Sequence, residues 1–157
     1  MHKLFYIGIF LLLFSGCDSD RIYEKYQDID AFTWAYTDTL SYTVNIEDTS
    51  SKYNLYVNIR HADFYPYARM FIFIHTIFPS GKRDKQRVLL PMAEKDGRWK
   101  GECISEICDI QIMIQGNAKF PEPGNYTFVF EQNMRQDLLP GVIEMGLKVE
   151  KAANKNP

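Results

Sequence analysis

Apolar and polar side chains alternate without a break from residue 53 to residue 60. Successive side chains of a β-strand point to opposite faces of the sheet, so this pattern predicts a strand with one buried face. Its apolar positions are Tyr53, Leu55, Val57 and Ile59. Residues 42–46, 110–115 and 145–150 alternate in the same way and predict three further strands. The polar residues 48–51 predict a hairpin that joins 42–46 to 53–60.

Residues 70–78 are apolar on both faces and predict a central strand, which the turn at 79–81 ends. The histidine of this strand, His75, is expected to be a hydrogen-bonded core side chain rather than a catalytic base. Residues 83–92 begin with charged side chains and end with apolar ones. They predict a strand whose charged part, 82–87, is a solvated arm that protects a sheet edge. Contact of that arm with anionic lipid or with a partner is the alternative.

Shorter segments complete the pattern. Strands are predicted at 22–26, 98–100 and 126–132, and a helical turn is predicted at 104–107. About eight short strands with regular turn signals and no long helical pattern predict an all-β fold. We expect a single antiparallel β-sandwich that is immunoglobulin-like or jelly-roll-like.

Tyr126 follows Gly124 at the start of a predicted strand, which is typical of the tyrosine corner of Greek-key sandwiches. No repeat, low-complexity block or linker divides the chain after its N-terminal segment. We therefore expect one sandwich domain over residues 31–151 and a disordered tail over residues 152–157.

The first residues predict export rather than folding. Lys3 precedes an apolar run of about 11 residues, which as a helix would rise ~16 Å against a hydrocarbon core of ~30 Å. Ser15 and Gly16 then precede Cys17, as in a bacterial lipoprotein leader. We expect a signal peptide over 1–16. A leader cut elsewhere, or a buried apolar N-terminus, is the alternative.

Cleavage before Cys17 would make this cysteine the new N-terminus, with diacylglycerol and further acyl groups on it and no other cofactor. Two or more acyl chains anchor a protein stably to a membrane. Residues 17–30 would then form the lipidated N-terminus and a polar tether that merges into the first strand.

Composition and charge narrow the classes of function. Aromatic residues make up 15% of the 157 positions, which favours pleated, half-buried surfaces. The formal net charge is −2, and loss of Lys3 with the leader makes the mature chain one unit more negative. This balance gives no basic surface of the kind that nucleic-acid binding requires, so no nucleic-acid partner is expected.

Cys103 and Cys108 suit an exported protein. Outside the cytoplasm they can form a disulfide, and two reduced, buried thiols are the alternative. Neither His61 nor His75 has ligand-like spacing to these cysteines, so no metal site is predicted.

The chain carries no recognisable catalytic motif, neither a phosphate loop nor a metalloprotease helix nor a serine elbow. His61 lies at a strand end without a nucleophile motif beside it. A carboxylate pair contributed by distant parts of the chain is the remaining catalytic arrangement. We therefore predict that the protein is not an enzyme, with a small hydrolase as the least supported alternative.

Residues 61–67 form an aromatic-rich loop that we expect to contact a partner. Tyr65 and Tyr67 flank Pro66, and Trp99 is expected to join them. Aromatic side chains offer a large contact area at a low entropy cost. If these rings and Trp34 share one solvent-exposed face, the loop could instead bind glycans. Packing in the core is the other alternative for each ring.

Several segments resemble one known family when they are read in order. They are Cys-Asp-Ser-Asp-Arg at 17–21, the strand at 53–60, Tyr-Pro-Tyr at 65–67, Asp-Gly-Arg-Trp at 96–99, and the runs 120–128, 131–135 and 139–150. In this order they resemble the gliding-motility-associated lipoprotein family GldH of the Bacteroidetes. The resemblance covers nearly the whole chain after the leader.

This resemblance implies a cell-envelope lipoprotein, most simply of the outer membrane, that works beside other proteins of the gliding and type IX secretion machinery. Of the site residues, it gives a defined role only to Cys17. The pair Cys103 and Cys108 does not belong to the family pattern. Whether the domain faces the periplasm or the cell surface stays open, and a glycan-binding surface lipoprotein is the alternative function.

Overall fold

The computed structural model describes residues 20–153, which form eleven β-strands and one short 3-10 turn at Asp30–Phe32. In chain order the strands are β1 (Arg21–Asp28), β2 (Thr33–Ala35), β3 (Leu40–Ile46), β4 (Tyr53–Ala62), β5 (Arg69–Ile77), β6 (Arg83–Pro91), β7 (Glu102–Ile104), β8 (Ile107–Ala118), β9 (Gly124–Gln132), β10 (Leu138–Pro140) and β11 (Val142–Lys151). The predicted signal peptide 1–16, Cys17 and the tail residues 154–157 lie outside the described residues.

The strands form two main antiparallel sheets and a small two-stranded one. The first sheet has the order β1-β11-β4-β8-β7 and the second has the order β3-β9-β5-β6, while β2 pairs with β10. This arrangement confirms the predicted all-β antiparallel sandwich. Within the described residues no α-helix occurs, and no helix is long and apolar enough to cross a membrane.

The core lies between the two main sheets, and the period-2 pattern defines the faces that enclose it. Tyr53, Leu55, Val57 and Ile59 of β4 are buried, as predicted. Alternate residues of β3, β5, β9 and β11 meet them from the neighbouring strands and from the opposite sheet. The largest of these fully buried residues are Tyr42, Tyr126, Phe130, Ile46, Met70 and Ile72.

The predicted hairpin between β3 and β4 is wrong, because β3 lies in the four-stranded sheet and β4 in the five-stranded one. Asp48 organises the crossing between the sheets. Its carboxylate accepts hydrogen bonds from the hydroxyls of Ser50 and Ser51, each at 2.6 Å, and from Lys151 at 2.9 Å. These hydrogen bonds hold the pKa of the Asp48 carboxyl well below its usual range.

Three further local predictions differ from the structure. Residues 104–107 form the turn of the β7–β8 hairpin rather than a helical turn, because Ile104 of β7 pairs with Ile107 of β8. Residues 98–100 form no strand, only a single bridge between Trp99 and Ala93. β1 belongs to the five-stranded sheet, so the folded region starts before the predicted boundary at residue 31.

Tyr126 forms the tyrosine-corner contact that its position predicted. Its hydroxyl donates a hydrogen bond of 2.8 Å to the carbonyl of Glu122, just upstream in the chain. The ring is buried, and its centroid lies 4.6 Å from that of Phe120 and 5.5 Å from that of Phe78. The contact fixes the entry of the chain into β9.

Both ends of the described chain lie on one side of the sandwich. Arg21 at the start of β1 faces Glu150 near the end of β11. The N–H of Lys151 donates a hydrogen bond of 2.7 Å to the carbonyl of Asp20. We call this side the tether end, because Cys17 lies just before Asp20 in the sequence.

The opposite side of the sandwich is the distal end. Val142, the first residue of β11, faces His61 of β4, and His61 faces Cys108 of β8. β1 has eight residues, and a strand of that length spans about 26 Å. The loop after β4 and the turn between β7 and β8 therefore lie about one strand length from Asp20.

Candidate functional site at the distal end

The structure brings the predicted partner-binding residues together at the distal end. The ring centroid of Tyr65 lies 5.9 Å from that of Tyr67 and 6.2 Å from that of Trp99. His61 joins this group, with its ring 4.7 Å from that of Trp99. The loop after β4 and the segment around Trp99 thus pack against each other through aromatic rings.

One of these residues is too deeply buried to offer a contact surface. Tyr65 is only 2% exposed, so the prediction that its ring contacts a partner is wrong. Its backbone packs against Gly141, which adopts a φ of +82° and leaves no room for a side chain. Burial raises the pKa of the Tyr65 phenol. Pro66 is exposed, whereas Tyr67 and Trp99 are half-buried.

The rings required for glycan binding do not form an exposed platform. Trp34 is 1% exposed, and its indole N–H donates a hydrogen bond of 2.8 Å to the carbonyl of Asp38. Tyr65 is equally enclosed, as described above. The predicted aromatic set therefore serves mainly to pack the distal loops onto the core.

The predicted core histidine lies at the surface of the sheet, and the other histidine is buried. His75, expected in the core, is partly exposed, and its Nε2 lies 2.7 Å from a carboxylate oxygen of Glu131. It points to the outer face of β5, because side-chain alternation places its neighbours Ile74 and Thr76 on the opposite face. The predicted core position of His75 is therefore wrong.

His61 is the buried histidine. Its Nδ1 lies 2.8 Å from the carbonyl oxygen of Ala62, and within residues 20–153 its Nε2 has no hydrogen-bond partner. Burial lowers the pKa of His61, and the Ala62 carbonyl together with Asp109 and Asp63 opposes this shift only in part. The ring therefore favours its neutral form inside the aromatic group.

Cys103 and Cys108 face each other across the β7–β8 hairpin, and the structure joins them in a disulfide. Cys108 is buried beside His61 on the adjacent strand, whereas Cys103 is exposed. The disulfide closes a turn of four residues that begins at Ile104 and ends at Ile107.

Sequence reasoning missed the exposed apolar residues of this end. Phe32, Phe64, Ile104 and Ile107 are all solvent-exposed, and we call these four residues the distal patch. Phe64 is adjacent to the predicted Tyr65, and the isoleucines lie directly inside the cysteine pair. One sequence feature could have indicated their exposure: these apolar residues lie in short segments that also contain turn residues.

Main-chain hydrogen bonds connect the three segments of the distal patch. The N–H of Asp63 donates to the carbonyl of Glu106, and the N–H of Ala62 donates to that of Gly141, both at 2.8 Å. The N–H of Gly141 donates in turn to the carbonyl of Phe32 at 2.8 Å. The three backbone segments that carry the patch are thus held together by main-chain hydrogen bonds.

Left-handed backbone conformations occur within the distal patch and directly beside it. Ala31, Phe32 and Ser105 have φ values of 47°, 53° and 56°. Such conformations cost about 1–3 kcal/mol each for residues other than glycine, and they collect at functional sites. Phe32 is exposed in this conformation, so its ring contributes little packing to the core.

Basic residues line the edge of the four-stranded sheet, as the charged half of the predicted strand suggested. β6 is the edge strand, and Lys85 and Arg87 lie over the rings of Phe73 and Phe71 at 3.8 and 4.0 Å. Glu131 lies 3.8 Å from Lys85 and offsets part of this charge. The cations thereby cover an outward-facing aromatic row.

The outer face of the five-stranded sheet carries a polar network centred on the buried Asn58. Its side-chain amide donates to Glu24 and Tyr26 and accepts from Gln111, at 2.9–3.1 Å. These groups satisfy one another within the sheet. In the part of the chain that the structure covers, no group of three or more His, Cys, Asp or Glu side chains is arranged to hold a metal ion.

Comparison with known proteins identifies the family. The profile of the GldH lipoprotein family matches residues 21–149. A gliding motility lipoprotein GldH homolog of Christiangramia forsetii is 28% identical over 164 aligned positions, which cover 98% of this chain and 100% of that protein. The gliding motility lipoprotein GldH of Flavobacterium johnsoniae is 26% identical over 147 positions, which cover 89% of this chain and 90% of that protein.

Among solved structures, an uncharacterized protein of Listeria monocytogenes superposes on 79% of this chain and 9% of its own length. Its TM-score is 0.37 and its identity is 14%, too low a likeness to bear on fold or function. The family profile, in contrast, runs from the first strand to the last and confirms the resemblance found in the sequence segments. The chain belongs to the GldH lipoprotein family.

Proposed function

We propose that this protein is a non-enzymatic lipoprotein of the outer membrane that acts as a structural or accessory partner of the gliding and type IX secretion machinery. The family and the names of both relatives support a lipid-anchored envelope protein with a link to motility. Cys17 carries the acyl groups in this proposal. The sandwich then acts by binding another envelope protein.

The observation that carries this proposal is the separation of the two ends of the sandwich. The chain enters at the tether end, where Asp20 is hydrogen-bonded to Lys151. The distal patch lies at the distal end, about 26 Å away along β1. A lipid on Cys17 would hold the tether end at the membrane and direct the distal end away from it.

The state of the two histidines supports a binding role rather than catalysis. His61 is enclosed by aromatic rings and fully buried. His75 lies against Glu131 on the outer face of the sheet, where β5 and β9 pair in regular register. A general base must reach a substrate proton, and neither environment is a cleft with a nucleophile beside it.

Substitution of the lipidated cysteine tests the anchor. In cells that express the full-length protein, Cys17→Ala should abolish fatty-acid labelling and release the protein from the membrane fraction. The double variant Cys103→Ala, Cys108→Ala is the matched control, and it should keep both labelling and membrane association. A Cys17→Ala protein that stays labelled and membrane-bound would contradict the anchor.

Crosslinking in cells tests the partner role. An amine-reactive crosslinker should recover the protein together with envelope components of the gliding and secretion machinery, identified by mass spectrometry. The Cys17→Ala variant should lose this recovery, because it no longer resides at the membrane. Failure to recover any envelope protein reproducibly from wild-type cells would count against the proposal.

A further inference from the structure

The turn between β7 and β8 carries two isoleucines into solvent, and a disulfide holds them there. Ile104 is 81% exposed, and Ile107 faces it across the turn. Cys103 and Cys108 stand immediately outside the two isoleucines. A disulfide that closes so short a loop removes less entropy from the unfolded chain than one that closes a long loop. In the folded protein the disulfide also restricts the movement of the two exposed side chains that lie between its cysteines.

Fixing exposed apolar side chains favours binding. Association must otherwise overcome the entropy of ordering a flexible loop, and a rigid tip avoids that cost. Phe64 extends the same surface, because the N–H of Asp63 is hydrogen-bonded to the carbonyl of Glu106 in the turn. Large apolar side chains at the centre of a preformed surface are typical anchors of protein interfaces.

Three carboxylates lie close to this apolar centre in the sequence. All three are exposed: Asp63 and Glu106 directly precede Phe64 and Ile107, and Asp30 lies two positions before Phe32. Within residues 20–153 none of the three forms a salt bridge with a lysine, arginine or histidine. A partner surface that matches this arrangement would be apolar in the middle and basic around it.

The same charges argue against two other occupants. A second copy that docked patch to patch would bring Asp63 and Glu106 of both molecules together, and like charges oppose such a symmetric contact. An anionic membrane surface would repel the carboxylates as well. In addition, the distal patch points away from the membrane that a lipid on Cys17 would enter.

We propose that the distal patch docks into an apolar pocket of an envelope protein and that lysine or arginine side chains of the partner line the rim of this pocket. Ile104, Ile107 and Phe64 fill the pocket, and the disulfide between Cys103 and Cys108 keeps the isoleucines in the binding position. This inference rests on the proposed function, because it names the surface through which the partner is bound.

Site-specific photo-crosslinking in cells tests the docking surface. A photo-reactive amino acid replaces Ile107 or Phe64 in the full-length lipoprotein, and Leu89 serves as the control position. Leu89 is an exposed apolar residue of β6, on the outer face of the other sheet. We expect the same envelope protein at positions 107 and 64, crosslinked beside lysine or arginine residues, and no capture of it at position 89.

Substitutions then test how much the β7–β8 turn contributes to binding. Ile104→Asp should weaken capture at position 64 on the order of 30-fold, the loss expected for a buried anchor residue. Leu89→Asp should leave capture unchanged. The double variant Cys103→Ala, Cys108→Ala should lower capture several-fold at a temperature well below its own unfolding midpoint, where circular dichroism shows that it is folded; alanine avoids a buried hydroxyl at position 108.

Each opposite result overturns the proposal or a named part of it. Crosslinks to lipid, or to a second copy of the chain, would show a different occupant. Full capture by the Ile104→Asp variant would remove the patch as the anchor, and full capture by the cysteine variant would remove the role of the disulfide. Capture of an envelope protein only at Leu89 would overturn the docking surface and leave the proposed function intact.

Discussion

The phenol of Tyr42 donates a hydrogen bond of 2.8 Å to the main-chain carbonyl of Met145 and so joins the two sheets through the core. Both residues are buried, and the ring of Tyr42 packs 4.9 Å from that of Phe130. We expect Tyr42→Phe to lower the free energy of unfolding by about 1–2 kcal/mol, since it removes a buried hydrogen bond. The midpoint of urea unfolding measures this loss.

The control for this substitution is Tyr36→Phe. Tyr36 directly follows β2 and its side chain is exposed, so the loss of its hydroxyl should change stability by less than about 0.5 kcal/mol. Equal midpoints for Tyr42→Phe and Tyr36→Phe would contradict a stabilising contact between the sheets.

Stability should fall at alkaline pH. Burial raises the pKa of the phenols of Tyr42 and Tyr65 above their ordinary value of 10.0, so the folded protein resists their ionisation. A group with a raised folded pKa contributes its full stability below the unfolded pKa and loses it as pH rises further. The free energy of unfolding, measured with urea, should therefore decrease above about pH 10. This decrease should follow the rise in tyrosinate absorbance.

The variant Tyr65→Phe tests the origin of this loss. Phenylalanine cannot ionise, so the variant should lose less stability than the wild type when the pH is raised from about 9 to about 11. An unchanged alkaline loss would assign it to other groups. Tyr36→Phe again serves as the exposed control.

Mild acid should also weaken the fold, through His61. Burial is the largest influence and lowers the pKa of this ring below its ordinary value of 6.5. The stability contribution is complete above the unfolded pKa and is lost as pH falls through the folded pKa, because the unfolded chain binds the proton more readily. Urea unfolding measured between about pH 7 and pH 5 should record this decline.

The variant His61→Phe keeps a ring in the aromatic group and removes the proton-binding site. We expect its stability to vary less with pH over the same interval, even though it loses the contact between Nδ1 and the Ala62 carbonyl. If the wild type and His61→Phe show the same slope, the pH dependence arises elsewhere.

The close approach of Gly141 to Tyr65 can be measured with a matched pair of alanine substitutions. Gly141 and Gly81 have similar φ values, +82° and +85°, so alanine is strained at both positions. A Cβ at Gly141 would lie 2.9 Å from Cα of Tyr65, whereas a Cβ at Gly81 would meet nothing within 4 Å. Gly141→Ala should therefore cost about 1–3 kcal/mol more than Gly81→Ala.

Thermal or urea unfolding of the two glycine variants provides the comparison. Because Gly141 is also hydrogen-bonded to Phe32 and Ala62, Gly141→Ala should in addition weaken photo-crosslinking through the distal patch. Equal losses of stability for the two variants would mean that the loop after β4 moves aside at no cost.

The buried faces of the strands could be predicted from sequence, whereas the pairing of the strands could not. Alternation around Tyr53 and Leu55 reports burial directly, because burial depends on the side chain itself. The same alternation carries no information about the neighbouring strand. The segment ending at Ile46 and the segment starting at Tyr53 therefore suggested a hairpin, although they belong to different sheets.

The sequence pointed to the loop after β4 as a contact surface, which stays a prediction, and the exposed residues of the distal patch were not predicted. Phe64 and Tyr65 are adjacent aromatic residues, yet Tyr65, which packs against the sequence-distant Gly141, is buried and Phe64 is exposed. Ile104 and Ile107 have a spacing typical of a buried helical turn. Their exposure follows from their position in a hairpin at a sheet edge, which only the fold reveals.

The antiparallel pairing of β1 with β11 has a mechanical consequence. A pull on Asp20, against resistance at the distal end, would act along the axis of β1. The paired positions from Arg21–Glu150 to Asp28–Glu144 would then share the load in shear, instead of opening one after another like a zipper. This direction of loading is the one expected in the proposed role, in which the domain links a lipid anchor to a partner protein.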